Sequence, residues 1–228
     1  MEQVLDNFYT KDEIDRIWQE IKYLDSNTYG WSYPNRTMNA VNDTGDVLLQ
    51  GARQFGLSAI FDDYQHIPIT IKSNIYTLGK KIVKWQNYLK NKHDVYLNIE
   101  NVDNHTTFIN YFFKDDGVYK LHHDNSIYTM LSYFYEEPRN FTGGDFIVED
   151  RKYQIHNGFT IILPGWLKHG TTPVKMIDKS RSKSGRYSVA HFFNIASGTK
   201  NGIYSKVDYE MSNTKKTYDL FDPTPIKE

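Results

Sequence analysis

The chain has 228 residues, which is enough for one large domain or two small ones. Hydrophobic residues make up 39% of it and aromatic residues 15%, a composition that favours strands and can fill a core. The absence of cysteine excludes disulfides, thiolate metal sites and cysteine nucleophiles. The net charge of −1 gives no broad electrostatic basis for binding nucleic acid or a membrane surface, so we expect neither as a partner.

The N-terminal segment carries no pattern of a targeting signal. It lacks a basic region followed by an apolar core, and no apolar run in the chain approaches the roughly 20 residues that span a bilayer. We therefore expect a soluble, cytoplasmic protein. A viral source would place it in the cytoplasm of an infected host cell.

Helical patterns dominate the first part of the chain. Thr10 to Glu13 form a capping-box sequence, and the apolar residues that follow recur at helical spacing. The polar, turn-rich stretch Asn27–Gly45 is predicted to form loops. A second and stronger helix is predicted over Ile69–Lys90, where apolar residues recur every three or four positions and form a stripe suited to packing on a sheet.

From Thr106 onward the hydrophobic pattern changes to that of strands separated by short turns. Gly143-Gly144 is predicted to be such a turn rather than a phosphate loop, because no helical pattern and no Lys-Ser or Lys-Thr pair comes directly after it. The predicted strands are Thr107–Phe113, Val118–His123, Ile127–Tyr135, Asp145–Glu149, Phe159–Leu163 and Arg186–Asn194.

These patterns predict a single domain over residues 1–228, organised in three parts. Residues 1–94 would give helical support and loops, residues 95–198 the β-core, and residues 199–228 a polar C-terminal arm. Short strands joined by turns indicate an α+β, mainly β fold with a β-sandwich or jelly-roll core.

His122 and Asp124 form an H-x-D pair on a predicted strand, and His169 follows later in the chain. Side chains two residues apart on a strand point to the same face, whereas His123 points to the opposite one. Two imidazoles and a carboxylate are the ligands of a facial triad that holds Fe(II) and leaves positions open. An H-x-D pair alone is a weak signal, because a surface pair at a strand end explains an isolated pair better, and the same holds for His169 after its Pro-Gly turn.

The order of the motifs is more specific than any single motif. Leu121–Asp124 precedes a strand, a Gly-Gly turn, the segment Leu163–His169, and finally Arg186 at the start of the last strand. In this order the segments resemble the 2-oxoglutarate/Fe(II)-dependent dioxygenase superfamily, and within it the prolyl 4-hydroxylase-like branch. The resemblance covers roughly Thr107–Asn194.

The resemblance implies a double-stranded β-helix, or jelly roll, with a metal near one open end. His122, Asp124 and His169 then match the iron ligands. Arg186 matches the basic residue that binds the distal carboxylate of 2-oxoglutarate, which suits a planar guanidinium. Ser188 lies two residues further along the same strand face and is expected to add a hydroxyl donor to the co-substrate.

The chain departs from this branch in the spacing before that arginine. The segment Lys175–Gly185 is longer than expected and is predicted to be an extended basic loop. It contains Lys179, ten residues after His169, where collagen-type prolyl hydroxylases carry an anchoring lysine. Lys179 is therefore a rival anchor, and Arg186 is favoured because it opens a regular strand.

Three tyrosines match further positions of the family. Tyr111 and Tyr133 match tyrosines near the 2-oxoglutarate, and Tyr119 matches one close to the first metal ligand. Each is equally explained as a packing residue in a tyrosine-rich chain. Trp166 is expected either to wall the pocket or to pack in the core. Structural or solvent-facing positions are expected for His105, His156 and His191.

The implied reaction uses Fe(II), with 2-oxoglutarate and O2 as co-substrates and ascorbate as a further candidate ligand. It hydroxylates a C–H bond, and the leading substrate is a proline in a peptide or protein, as in the procollagen-type peptidyl-proline dioxygenases. The basic loop Lys175–Arg181 and the stretch Gly30–Gly45, with Trp31 and Tyr33, are either lids over such a peptide or ordinary surface loops.

Other functions remain open on the sequence alone. The same chemistry could act on a free amino acid or a small metabolite. A nucleic-acid dealkylase is disfavoured, because that branch carries a second arginine where this chain has Phe192. A non-enzymatic, metal-binding jelly-roll protein is the third alternative, and the complete ligand set argues against it.

Overall fold

The computed structural model describes residues 1–26, 31–32, 47–57, 73–102 and 104–195 of the chain. Several predictions lie outside these residues: most of the loops in Asn27–Gly45, Tyr33, the first turn of the helix predicted over Ile69–Lys90, and the C-terminal arm at 199–228. The division of residues 1–228 into three parts stays a prediction. Within the described residues, no helix is long and apolar enough to cross a membrane.

The first helix begins where the capping-box sequence places it. The backbone N–H of Thr10 donates to the Glu13 carboxylate (2.9 Å), and the N–H of Glu13 donates to the Thr10 hydroxyl (3.3 Å). The described helices are α1 Lys11–Ser26, α2 Asn74–Gly79 and α3 Gln86–Lys92, with 3₁₀ segments at Lys80–Trp85, Asp94–Tyr96 and Ile99–Asn101.

The second predicted helix is interrupted. Its apolar stripe is buried as expected, but the chain tightens into a 3₁₀ segment between α2 and α3. The change begins beside Gly79, whose backbone lies against the ring of His191 so closely that a Cβ there would be 2.4 Å from the ring. Because a 3₁₀ helix repeats every three residues, Ile82 and Trp85 both keep their place against the core.

The strands form antiparallel sheets, and within the described residues the largest has the order β1-β11-β7-β14-β5-β4-β2. Smaller ladders β10-β9-β12, β13-β8 and β3-β6 accompany it. The described strands are β1 Gln3–Val4, β2 Trp31–Ser32, β3 Leu49–Gln50, β4 Ala52–Gly56, β5 Asn104–Phe112, β6 Val118–Tyr119, β7 Tyr128–Phe134, β8 Phe141–Gly143, β9 Phe146–Val148, β10 Arg151–Tyr153, β11 Thr160–Pro164, β12 His169–Thr171, β13 Val174–Met176 and β14 Arg186–Asn194.

The predicted fold class is confirmed: the chain is mainly β, with a jelly-roll core supported by N-terminal helices. The strand predicted over Val118–His123 is shorter than expected, because regular pairing stops at Tyr119 and His122 forms only an isolated bridge to His169. The loop predicted over Lys175–Gly185 is also corrected, since β13 extends to Met176 and pairs with β8.

Two hydrophobic cores lie on opposite faces of the large sheet. The helix-side core joins the helices to one face and includes Ile82, Met130 and Val189. The inter-sheet core joins the other face to the small ladders and includes Phe112 and Phe146. Successive residues of a strand point to opposite faces, so β5, β7 and β11 each contribute side chains to both cores.

Candidate metal centre

A bridge between two chain segments brings the predicted metal ligands together. The N–H of His122 donates to the carbonyl of His169 (2.8 Å), and the N–H of His169 donates back to the carbonyl of His122 (2.9 Å). The N–H of Asp124 then donates to the carbonyl of Gly165 (2.8 Å). Gly165 is required at this crossing, because a Cβ would lie 2.1 Å from the carbonyl oxygen of Ser126.

The three side chains converge as a facial triad would. One ligand atom from each of His122, Asp124 and His169 lies within 4.8 Å of the others. The Nε2 atom of His122 is 3.2 Å from Oδ1 of Asp124, and that of His169 is 3.1 Å from Oδ2. All three side chains are more than nine-tenths buried.

Backbone carbonyls set the tautomers of both imidazoles. Nδ1 of His122 lies 2.7 Å from the carbonyl oxygen of Lys120, and Nδ1 of His169 lies 2.9 Å from that of Leu167. A carbonyl only accepts, so each Nδ1 carries the proton and the neutral ring has its lone pair on Nε2. Both Nε2 atoms point at the shared centre, so the donor set fits a divalent metal of the Fe(II) type.

The Asp124 carboxylate is held in its ionised form. Burial acts to raise the pKa of this group, but interactions with His122 and His169 outweigh burial and hold the pKa well below its ordinary value. The hydroxyl of Thr129 also donates to Oδ2 (2.6 Å). A metal ligand must be deprotonated, and this environment provides that at neutral pH.

Arg186 is fully buried and only partly satisfied. Its Nη1 donates to the carbonyl of Gly144 (2.6 Å), and its guanidinium lies 4.0 Å from the ring centre of Phe112. Nε and Nη2 have no hydrogen-bond partner within the described residues. Burial lowers the pKa of Arg186 to about 10, so the group keeps its charge at neutral pH.

The glycine turn before β9 makes room for this arginine. Gly143 and Gly144 have φ angles of 68° and 71°, in the left-handed region that favours glycine. A Cβ on Gly144 would be 3.2 Å from the Arg186 side chain. The turn predicted here from the sequence therefore also places the carbonyl that receives the guanidinium.

A single pocket joins the three ligands to Arg186. About 340 Å³ of space not filled by protein atoms lies in it, open solvent at its mouth included, and we call it the metal pocket. Ser188 lines it, as predicted, and so does Phe192. The complete lining comprises Asn110, Tyr119, His122, Asp124, Leu131, Tyr133, Phe146, His169, Gly170, Thr171, Arg186, Ser188, Ala190 and Phe192.

Two of the three predicted tyrosines reach this pocket. The Tyr119 ring stacks on His122 with centroids 4.1 Å apart, and the Tyr133 ring lies 5.2 Å from the Arg186 guanidinium. Tyr111 is a correction. Its ring stacks on Tyr187 at 4.2 Å on the opposite face, because the register pairs these two residues across β5 and β14.

Lys179 lies outside the metal pocket. Its ammonium is exposed and 2.5 Å from Asp115. The basic loop Lys175–Arg181 contributes to a separate groove, with Arg53 and Tyr111 on its other side, that shares no lining residue with the metal pocket. The structure therefore places Arg186, and not Lys179, in the pocket with the three candidate metal ligands, and it does not place this loop over them.

The remaining aromatic predictions have mixed outcomes. Trp166 neither walls the pocket nor packs in the core, because it is 55% exposed on the turn before His169. His191 is structural: it is buried on the helix side, and Thr107 bonds to its Nδ1. His156 is exposed, and the side chain of His105 lies outside the described part of the chain.

The sequence argument missed Asn110 and Thr129. Asn110 is buried in β5, accepts a hydrogen bond from Gln54 (2.8 Å) and lines the metal pocket. Thr129 is buried in β7 and contacts Asp124 directly. The available signal was a polar side chain in the middle of a strongly hydrophobic strand, which usually needs a specific partner.

Comparison with known proteins supports the fold. No family model matches the sequence, and the search of curated proteins finds no match. A solved structure from Shewanella oneidensis, described as an oxygenase, is 18% identical with a TM-score of 0.50, covering 85% of this chain and 81% of that one. At this identity the similarity shows a shared fold.

Two further solved structures give similar values. A Pseudomonas putida prolyl-4-hydroxylase is 11% identical with a TM-score of 0.49, covering 85% of this chain and 91% of that one. A 2OG-Fe(II) oxygenase family oxidoreductase from Burkholderia pseudomallei is 13% identical with a TM-score of 0.49, covering 85% and 84%.

Proposed function

We propose that this protein is an Fe(II)- and 2-oxoglutarate-dependent dioxygenase that hydroxylates a C–H bond. One observation carries the proposal: a buried His-Asp-His cluster shares its pocket with a buried arginine whose Nε and Nη2 lack partners among the described residues. A metal site alone does not require a buried, unsatisfied guanidinium. Such a group is costly unless a ligand pairs with it.

Each group in the pocket has a distinct task under this proposal. His122, Asp124 and His169 would hold Fe(II), and Arg186 would bind the distal carboxylate of 2-oxoglutarate through two parallel hydrogen bonds. The bound metal, co-substrate and O2 supply an oxidative decarboxylation that yields succinate and carbon dioxide and places one oxygen atom on the substrate. The protein orients these groups and limits water around them.

For the substrate we propose a proline in a peptide or protein. Leu131, Ala190 and Phe192 give the pocket an apolar wall that suits an uncharged, C–H-rich side chain. The same wall would accept a small apolar metabolite or free amino acid, so the substrate has to be separated by experiment. Ascorbate enters the proposal only as a reductant that sustains turnover.

The test is succinate formation from 2-oxoglutarate by protein loaded anaerobically with Fe(II), with and without a proline-rich peptide and with and without ascorbate. His122→Ala and Arg186→Ala should both reduce turnover to background. His123→Ala is the matched control, because that neighbouring imidazole is exposed and bonds to the carbonyl of Trp166 instead. It should leave turnover unchanged.

The outcomes separate the alternatives. Peptide-stimulated turnover that both variants lose supports the complete proposal. Slow turnover that ignores the peptide but requires His122 keeps the chemistry and discards the peptidyl-proline substrate. Bound metal without any turnover would favour a non-enzymatic binding protein.

A further inference from the structure

We infer that two hydroxyls, those of Ser126 and Thr129, form a relay that positions the Asp124 carboxylate for metal binding. This inference rests on the proposed function, because it takes Asp124 as a metal ligand. The Thr129 hydroxyl lies 2.6 Å from Oδ2 of Asp124, and the Ser126 hydroxyl lies 2.8 Å from that of Thr129.

Proton counting fixes the direction of the relay. An ionised carboxylate only accepts, so Thr129 must give its single hydroxyl proton to Asp124. It then has none left for Ser126, and Ser126 must be the donor to Thr129. The chain therefore runs from Ser126 through Thr129 to Asp124, and each bond polarises the next.

Thr129 is the member of this relay that the fold holds most rigidly. It is fully buried in β7, where its backbone pairs with Leu163 of β11 on one side and Phe192 of β14 on the other. Asp124 lies in irregular chain after the His122 bridge, held at its own N–H by Gly165. A rigid strand thus supplies the donor that orients a carboxylate on a less regular segment.

The relay becomes more important once a metal is bound. Without metal, the Asp124 carboxylate contacts the Nε2 atoms of both histidines as well as Thr129. A metal would bind the lone pairs of both Nε2 atoms, so neither imidazole could then donate to Asp124 through Nε2. Among the described residues, Thr129 is then the remaining donor to this carboxylate, so its loss should affect the metal more than the fold.

The test measures binding of Mn(II) by electron paramagnetic resonance and the absorption spectrum of Co(II) in the full-length protein. Thr129→Val keeps the shape but removes the donor, and Thr129→Ser restores a hydroxyl. Ser126→Ala removes the outer member of the relay. Thr160→Val is the matched control, because Thr160 is an equally buried threonine in β11 whose hydroxyl bonds to Gly158 and Ser132, outside the metal pocket.

We expect Thr129→Val to weaken Mn(II) binding by about 10–100-fold and to alter the Co(II) spectrum, as for other groups that orient metal ligands. Thr129→Ser should recover most of the affinity, Ser126→Ala should show a measurable loss of affinity that is smaller than about 10-fold, and Thr160→Val should bind as wild type. Unchanged affinity and spectrum in Thr129→Val would overturn the inference.

Two further results distinguish failure of the relay from misfolding of a variant and from failure of the proposed metal site. If Thr129→Val loses cooperative melting, Ser126→Ala decides, and unchanged Mn(II) affinity in that variant would overturn the relay. If wild-type protein binds neither Mn(II) nor Co(II), the proposed metal site itself fails.

Discussion

Alternate residues of the same strands build the two faces of the large sheet, but the faces differ in chemistry. In β14, Tyr187 and Val189 enter the helix-side core, whereas Arg186 and Ser188 line the metal pocket. The helix side is mostly apolar and close-packed. The pocket side contains buried polar groups, and one of them, Arg186, is left partly unsatisfied among the described residues.

This difference separates stability from function within single strands. Burial of apolar surface on the helix side stabilises the fold, so the opposite side can hold charges that the fold alone does not favour. A strand anchored on one face keeps the side chains of its other face in place. The pocket therefore lies on a rigid element although its own groups contribute little to stability.

The largest expected effect on stability comes from a substitution in the helix-side core. Phe134 is fully buried and contacts Tyr9, with ring centres 5.8 Å apart. Phe134→Ala should lower the free energy of unfolding by about 3–5 kcal/mol, because it removes buried surface and leaves a cavity. Denaturant unfolding measures this, and Mn(II) binding by the folded fraction should stay unchanged.

The neighbouring residue supplies the matched control. Tyr133 points to the pocket side, and Tyr133→Phe removes only a hydroxyl, so it should change stability by about 1 kcal/mol or less. If Phe134→Ala reduced Mn(II) affinity per folded molecule while Tyr133→Phe destabilised the protein more, the proposed separation of the two faces would be wrong.

Arg186→Met should change the free energy of unfolding in the opposite direction to Phe134→Ala. It replaces a buried, incompletely paired charge with an apolar side chain of similar length, so we expect a gain of about 1–4 kcal/mol in unfolding free energy. The variant should also lose the increase in melting temperature that 2-oxoglutarate produces in Mn(II)-loaded wild type. Thermal unfolding with and without 2-oxoglutarate measures both effects.

The stability change and the response to 2-oxoglutarate in Arg186→Met test different parts of the proposal. A large loss of stability in Arg186→Met would mean that the guanidinium is satisfied within the fold and is not reserved for a ligand. A retained response to 2-oxoglutarate would remove Arg186 from the proposed binding site while leaving the metal ligands untested by this result.

The sequence predicted long and chemically distinctive features best. β14 has the predicted bounds because its alternation continues over nine residues, and His122, Asp124, His169 and Arg186 converge as expected. A strand of three residues or fewer, such as β8, is too short for its alternation of apolar and polar residues to be distinguished from a turn. The existence of such a strand depends on partners that are distant in sequence.

Register explains the error at Tyr111 and the omission of Asn110, and a contact made only in the fold explains the omission of Thr129. A shift of one residue moves every side chain of a strand to the other face, and sequence alone does not fix the pairing of β5 with β14. The observed register sends Tyr111 to the helix side and Asn110 to the pocket. Thr129 resembles any strand-favouring threonine until the fold brings Asp124 beside it.

The smallest expected effect sharpens the contrast between a buried and an exposed cation. Lys179 is 73% exposed and pairs with Asp115, itself 37% exposed, so solvent screens the interaction. Lys179→Ala should leave the melting temperature without measurable change. It should also keep the full thermal response to 2-oxoglutarate that Arg186→Met loses, because the lysine lies outside the metal pocket. Loss of that response in Lys179→Ala, with the response retained in Arg186→Met, would reverse the assignment of the anchor and require the basic loop to reach the metal ligands when 2-oxoglutarate binds.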